Sequence, residues 1–263
     1  IICSDGGDGT AHYTLTSLID VYNKNGKDFP MFMPLMSGTV NFAAKSFYGY
    51  GTPVEVLENI VKNGFNKTKS VESLRIDFNG RQLHGFVYGM GVISNFLEKY
   101  YDKNISGFLA YETSVRKAGG LILRGILSLI FGTQFSKDIM KQANSEIKMG
   151  EYSCDKHTAV VASTIPINVI GIKLFYTPKE KAAMYVVCGD FSSKVLLKNL
   201  YNGFSGRNIC GDGIYTDKVG SVEIRVKESN CNFMIDGELY KANRDDFIML
   251  KAGPEIKIPQ LWN

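Results

Sequence analysis

Three glycines within four positions, Gly6, Gly7 and Gly9, separate an apolar start, Ile1-Ile2, from a run with helical spacing. Ala11, Leu15, Leu18, Ile19 and Tyr22 fall at i, i+4, i+7, i+8 and i+11, one face of a helix that Gly26 should end. The order is therefore strand, glycine loop, helix. Without Cβ atoms, a ligand can approach such a loop closely, its N–H groups can converge on an anion, and the helix adds its positive end. Asp8 inside the loop would repel phosphate unless a cation lay between them, which suits a magnesium–nucleotide complex. The plainer alternative is a tight turn capped by Asp5 or Asp8. Ile1-Ile2 reads as the end of a strand that starts upstream, so the chain is expected to be a fragment of a longer one.

Further along, Met31–Leu35 is apolar and of strand length, Ser37-Gly38-Thr39 is a turn, and a helix is expected near Asn41–Phe47. Thr52-Pro53-Val54-Glu55 is a capping box with proline at the first helical position, and its helix should run to about Asn63, before Gly64. The period then changes from helical to alternating: Leu74, Ile76 and Phe78 alternate with Arg75 and Asp77 and lead to Asn79-Gly80, a two-residue hairpin signal. Residues 118–144 are expected to be helical, and from Thr158 onward strand-like runs dominate. Together these predict an α/β chain: a partial Rossmann-like nucleotide-binding domain over 1–76, then a larger β-rich sandwich domain over 77–263, with a return of the last residues to the first domain left open.

Composition excludes little. A net charge of +4 is mildly basic, and the Lys and Arg residues form no stripe, so no nucleic-acid partner is expected. Five widely spaced cysteines without a CxxC argue against a disulfide framework or zinc site and favour a reducing compartment. His12, His84 and His157 have no metal spacing and read as surface or strand residues. The apolar run Leu121–Gly132 is too short to span a bilayer. Its Leu121, Ile122, Leu123, Ile126, Leu127, Leu129, Ile130 and Phe131 cover most of a helix circumference, which favours core packing over an acyl-chain tunnel or a bilayer-docking face.

The string GGDGT resembles the nucleotide-loop signature of the diacylglycerol and sphingoid lipid kinase family. NAD kinases and bacterial phosphofructokinases carry a similar string, so the loop alone implies a phosphoryl donor and not its acceptor. MPLMSGTVNFAAK resembles the family's second motif, at Gly38, Thr39 and Asn41, and GFVYGMGVISNFLEKYY its Gly-x-Gly stretch. NFMIDGELY resembles its late Asp-Gly-Glu motif, at Asp236, Gly237 and Glu238. His12, Tyr13 and Phe42 stand where many diacylglycerol kinases have Asn, Glu and Asp.

The resemblance implies ATP and Mg2+ as cofactors and transfer of the γ-phosphoryl group to a lipid hydroxyl at a membrane surface. Gly6, Gly7, Gly9 and Thr10 would hold phosphates, Asp8 would orient the magnesium complex, and Gly38, Thr39 and Asn41 would form the opposing wall. Glu238 would be the general base; no metal ligand is assigned. The implied setting is cytoplasmic and peripherally membrane-bound, with a homodimer left open. The alternatives are an NAD kinase-like phosphotransferase and an inactive lipid-binding homologue. For the kinase reading, Glu238 must face the glycine loop across one crevice.

Overall fold

In the computed structural model, which describes residues 1–38, 40–49, 51–64, 67–101, 114–169, 172–175 and 181–260, the chain starts as a strand–loop–helix unit. Strand β1 (Ile2–Ser4) feeds the glycine loop and helix α1 (Asp8–Lys24), and β2 (Phe32–Pro34) pairs with β1 in parallel, Ile2 opposite Phe32. The face of α1 that carries Ala11, Leu15 and Ile19 is buried, with His12 beside it. Helix α2 (Phe42–Tyr48) follows, then α3 (Pro53–Asn63). The expected capping box forms: Glu55 N–H donates to the Thr52 hydroxyl at 3.2 Å, and Thr52 N–H donates to the Glu55 carboxylate at 2.7 Å.

Strand β3 (Thr68–Phe78) turns at Asn79-Gly80, with φ of 49° and 72°, into β4 (Arg81–Gly85). These paired positive angles are those of the turn that matches strand twist, which Asn-Gly adopts at little cost. β3 begins five residues before Ser73 and runs unbroken across positions 76 and 77. β5 (Val87–Gly91) leads into α4 (Val92–Tyr101), and α5 (Ser114–Phe131) and α6 (Gln134–Ile139) follow. The helical expectation for 118–144 is corrected at its end: β6 (Ala143–Met149) alternates buried and less buried residues, and that period-two pattern makes it a strand.

The remaining elements are β7 (Tyr152–His157), β8 (Ala159–Ser163), β9 (Ile167–Val169), β10 (Ile172–Leu174), β11 (Met184–Gly189), α7 (Ser193–Ser205), β12 (Ile214–Val219), β13 (Ser221–Val226), β14 (Cys231–Ile235), β15 (Glu238–Ala242) and β16 (Phe247–Pro259). Helix α7 interrupts the strand-rich run expected from Thr158 onward, and Ser192 caps it, accepting from Val195 N–H. The runs FIMLKA and EIKI are one strand, β16, with an irregularity between Ala252 and Glu255.

Two antiparallel six-stranded sheets form the β-rich part, in the orders β12-β11-β8-β5-β14-β15 and β4-β3-β16-β13-β6-β7. Between them lies a core that includes Ile76, Tyr88, Phe233 and Leu250, with Tyr88 and Phe233 stacked at 5.5 Å. The other face of the first sheet is buried too. Val87, Val161, Val187 and Met234 point away from the sandwich into a second core with Leu15, Phe32, Met33 and Phe42. This explains why β8 (AVVAS) and β11 (MYVVCG) have no polar face. At roughly 1.5–3 kcal/mol per fully buried large side chain, each core is a strong constraint on how the α/β part meets the sandwich. Ile256 and Ile258, near the end of β16, pack in the core shared with the α/β part.

The α5 side chains correct the core-packing expectation. Leu123, Leu127, Ile130 and Phe131 are 58%, 45%, 55% and 75% exposed, whereas Ser128 is buried and donates to Gly125 O. The side chains of Leu121 and Ile122 lie outside the described residues. Among the described residues no helix is long and apolar enough to cross a membrane.

Candidate active site

The glycine loop is held by close approach of two backbones. A Cβ on Gly38 would fall on Gly7 Cα and lie 3.0 Å from Gly7 N, so the loop at 6–9 and the turn at 37–41 stack at a distance that glycine alone permits. Gly7 is the N-terminal cap of α1 and contributes no side chain, so the first N–H groups of the helix are not spent on a capping side chain. Asn41 is buried, with a left-handed φ of 54°, and its amide closes the second turn: Gly38 N–H donates to Oδ1 at 2.8 Å and Nδ2 donates to Gly38 O at 2.5 Å. The Thr10 side chain packs against Gly6, where a Cβ would meet the Thr10 Cβ at 2.6 Å. Thr39 lies outside the described residues.

Asp8 does two jobs. It opens α1, where a carboxylate suits the helix dipole, and its oxygens accept the N–H groups of Phe42 at 3.1 Å and Ala43 at 3.2 Å. It thus supplies the cap that Asn41 does not give α2. Burial pushes the Asp8 carboxyl up to about 6, against the opposing pull of the Ala43 and Phe42 N–H bonds.

From the sandwich, β14 and β15 bring in the second half of the site. Ile235 pairs with Glu238 across the two-residue turn Asp236-Gly237, with φ of 48° and 86°. Glu238 is half-buried and reaches the glycine loop: a Cβ on Gly9 would overlap Glu238 Oε1 and lie 2.7 Å from its Cδ and Cγ. The structure therefore brings together Gly6, Gly7, Asp8, Gly9, Thr10, Gly38, Asn41 and Glu238.

Three further groups border the site: Asp236, expected only as a motif and turn residue, His12, expected at the surface or in a strand, and Tyr101, given no role in the sequence. Asp236 is 1% exposed, and its carboxyl accepts N–H from Phe86 at 3.0 Å and Val87 at 2.8 Å. Burial raises its pKa well above the ordinary value; the Phe86 and Val87 bonds oppose that. An Asp-Gly turn signal accounts for the residue type without any role for the side chain, which is why sequence alone missed it. Tyr101, at the end of α4, donates to Gly237 O at 3.0 Å. His12 is fully buried, which corrects its reading as a surface residue, and it contacts His84 O at 2.7 Å and the Tyr240 hydroxyl at 2.6 Å. His84 and His157 are buried strand residues.

A magnesium ion is commonly held by one or two carboxylates together with substrate phosphates rather than by a protein cage. The donor set fits that mode. Each Asp8 oxygen keeps a lone pair beyond its N–H bond, and the loop presents helix N-terminal amides beside it.

No protein-family model matches the chain, and no curated protein matches its sequence. Solved structures do. A protein provisionally named a diacylglycerol kinase, from Bacillus anthracis str. Sterne, superposes with a TM-score of 0.64 at 14% identity, over 97% of this chain and 76% of that one. A second structure under the same provisional name and organism gives 0.61 at 15% identity, over the same shares. A third, a diacylglycerol kinase from that organism, gives 0.58 at 14%, over 97% and 74%. Along almost its whole length the chain thus has the diacylglycerol kinase-like fold of these structures.

Proposed function

We propose that the chain is the catalytic part of an ATP-dependent lipid kinase that transfers the γ-phosphoryl group to a diacylglycerol- or sphingoid-type hydroxyl. The approach of Glu238 to Gly9 carries this reading, because it sets a carboxylate beside a loop suited to phosphate. Phosphoryl transfer needs positioning and charge neutralisation more than covalent help. The N–H groups that open α1 hold phosphate oxygens, and the Gly38–Asn41 turn closes the opposite wall. Glu238 accepts the proton of the lipid hydroxyl as its oxygen bonds to the γ-phosphorus and the bond to the β-phosphate oxygen breaks, releasing ADP. Magnesium, when bound, neutralises charge on the phosphates beside Asp8.

The outward apolar face of α5 and the basic net charge of +4 support delivery of the lipid at a membrane surface, with the protein bound peripherally. The test is transfer from labelled ATP by the full chain, with a lipid extract or NAD as acceptor. Labelled lipid is the expected product. Labelled NADP would support the NAD kinase alternative, and lipid binding without ATP consumption would support the inactive homologue. Glu238→Gln should lower turnover by ~10²–10⁴ and leave ATP affinity intact; equal turnover would remove Glu238 from the role.

A further inference from the structure

The geometry points to His12 and Tyr240 as a latch that positions Glu238 against Gly9, a role that rests on the kinase reading of this site. His12 Nδ1 lies 2.7 Å from His84 O. A carbonyl oxygen only accepts, so in the neutral ring the proton is on Nδ1 and Nε2 is left as an acceptor. The Tyr240 hydroxyl, 2.6 Å from Nε2, is then the donor. Burial pushes the imidazole down to about 4, which keeps it in this neutral form near pH 7. Tyr240 is fixed from the other side as well, because its ring stacks on Phe233 at 5.4 Å, directly across from it on β14.

Contacts among the described residues that join α1 to β15 include Gly9 to Glu238 and His12 to Tyr240, with Tyr13 also bonded to the Tyr240 hydroxyl. Gly9 and His12 are three residues apart on a helix, a rise of about 4.5 Å. Glu238 and Tyr240 are two apart on a strand, about 6.7 Å, and share a face. The contacts are neighbouring rungs, and one of them is a directional hydrogen-bond chain. β15 needs such a rung. It is the last strand of its sheet, bonded to β14 alone, and the Tyr101 and Asp236 bonds hold only the turn before it. His12 and Tyr240 touch no reacting atom in this scheme; they are positioning residues. A displacement of about 1 Å at a reacting group can cost ~10² in rate.

The test uses His12→Asn, which keeps an N–H for His84 O but cannot reach Tyr240, and Tyr240→Phe, which keeps the stack on Phe233 and removes the donor. Each should lower kcat for transfer from labelled ATP to lipid in vesicles by ~10², with ATP Kd within about twofold. The double variant should be no worse than Tyr240→Phe, which also removes the Tyr13 bond, and His12→Gln, whose amide oxygen reaches further, should recover part of the loss. Amide hydrogen exchange should rise together, roughly tenfold, over residues 5–11 and 236–241 and stay unchanged over β13. Additive losses, full kcat in the folded variants, or a rise that includes β13 would each overturn the latch. If the unaltered chain moves no phosphate to lipid, the kinase reading fails by itself. Exchange then decides the latch alone: matched rises keep it as the α1–β15 tie, and unchanged exchange ends it.

Discussion

Replacing Gly9 by alanine opposes two effects that usually run together. Gly9 lies in the first turn of α1 and has no left-handed φ, so alanine fits the backbone there and is favoured in a helix by up to about 1 kcal/mol. The cost falls on Glu238. The new Cβ would overlap Oε1 and lie 2.7 Å from Cδ, whereas ordinary contact begins near 3.4 Å, so the carboxylate must retreat by at least the difference, about 0.7 Å at Cδ and more at the oxygen. Glu238 is half-buried at the end of a flexible side chain, so it can swing aside without unfolding the strand. A shift of that size should cost ~10² in kcat while the melting temperature holds or rises. The assay pairs labelled transfer to lipid with thermal melts of Gly9→Ala, Glu238→Ala and the double variant. Because both changes act on one carboxylate, the double should be no slower than Glu238→Ala. A folded Gly9→Ala variant with kcat within threefold of the parent would refute the reasoning, as would losses that multiply.

Asp236→Ala should destabilise the fold by roughly 2–4 kcal/mol in urea melts, since it strands the Phe86 and Val87 N–H groups; Asp236→Asn, which keeps an acceptor, should cost far less. The Asp8 pKa is raised from 3.8 to about 6, so the folded chain holds that proton more tightly than the unfolded one and stability falls as pH rises from about 4 to about 6. The difference in unfolding free energy between parent and Asp8→Asn should therefore change across that window by roughly 3 kcal/mol at most, and a flat difference would show that Asp8 is not so constrained. Leu127→Asp with Ile130→Asp should fold normally, because both positions face outward, and should weaken co-sedimentation with anionic vesicles. Unchanged co-sedimentation would take the α5 face out of membrane binding.

Local signals were read well where one short segment decides the outcome. The capping box at Thr52, the Asn79-Gly80 turn and the helix after the glycine loop each depend on neighbours within a few residues, and each formed. The end of the 118–144 helical run was misplaced because Ala143–Met149 is too short for its alternation to stand out beside an apolar helix. α5 departs from the core-packing expectation for a different reason. A helix apolar nearly all round is assigned to a core by composition, but burial is set by what packs against it, and here a serine faces inward. The site was legible as motifs and not as contacts. Asp236 looked complete as a turn residue, and nothing near His12 in sequence reveals a hydroxyl 228 positions away.

Three carboxylates converge on this site, and their partners divide the work among them. Two of them are committed to structure. Asp236 accepts the N–H groups that join β4 to β5, and Asp8 accepts those that open α2. Glu238 has no hydrogen-bond donor among the described residues, and its carboxylate lies against bare backbone at Gly9. What separates the three is placement: the Asp8 and Asp236 carboxyls are buried and turned to backbone N–H groups, whereas Glu238 is half-buried at the loop. On the proposed kinase reading, Glu238 would then be the carboxylate left to face a substrate hydroxyl, and Asp8 would act through the loop it anchors and the cation it can face. Loss of Asp8 or Asp236 should therefore register in the stability of the fold, whereas loss of the Glu238 charge should register in turnover alone.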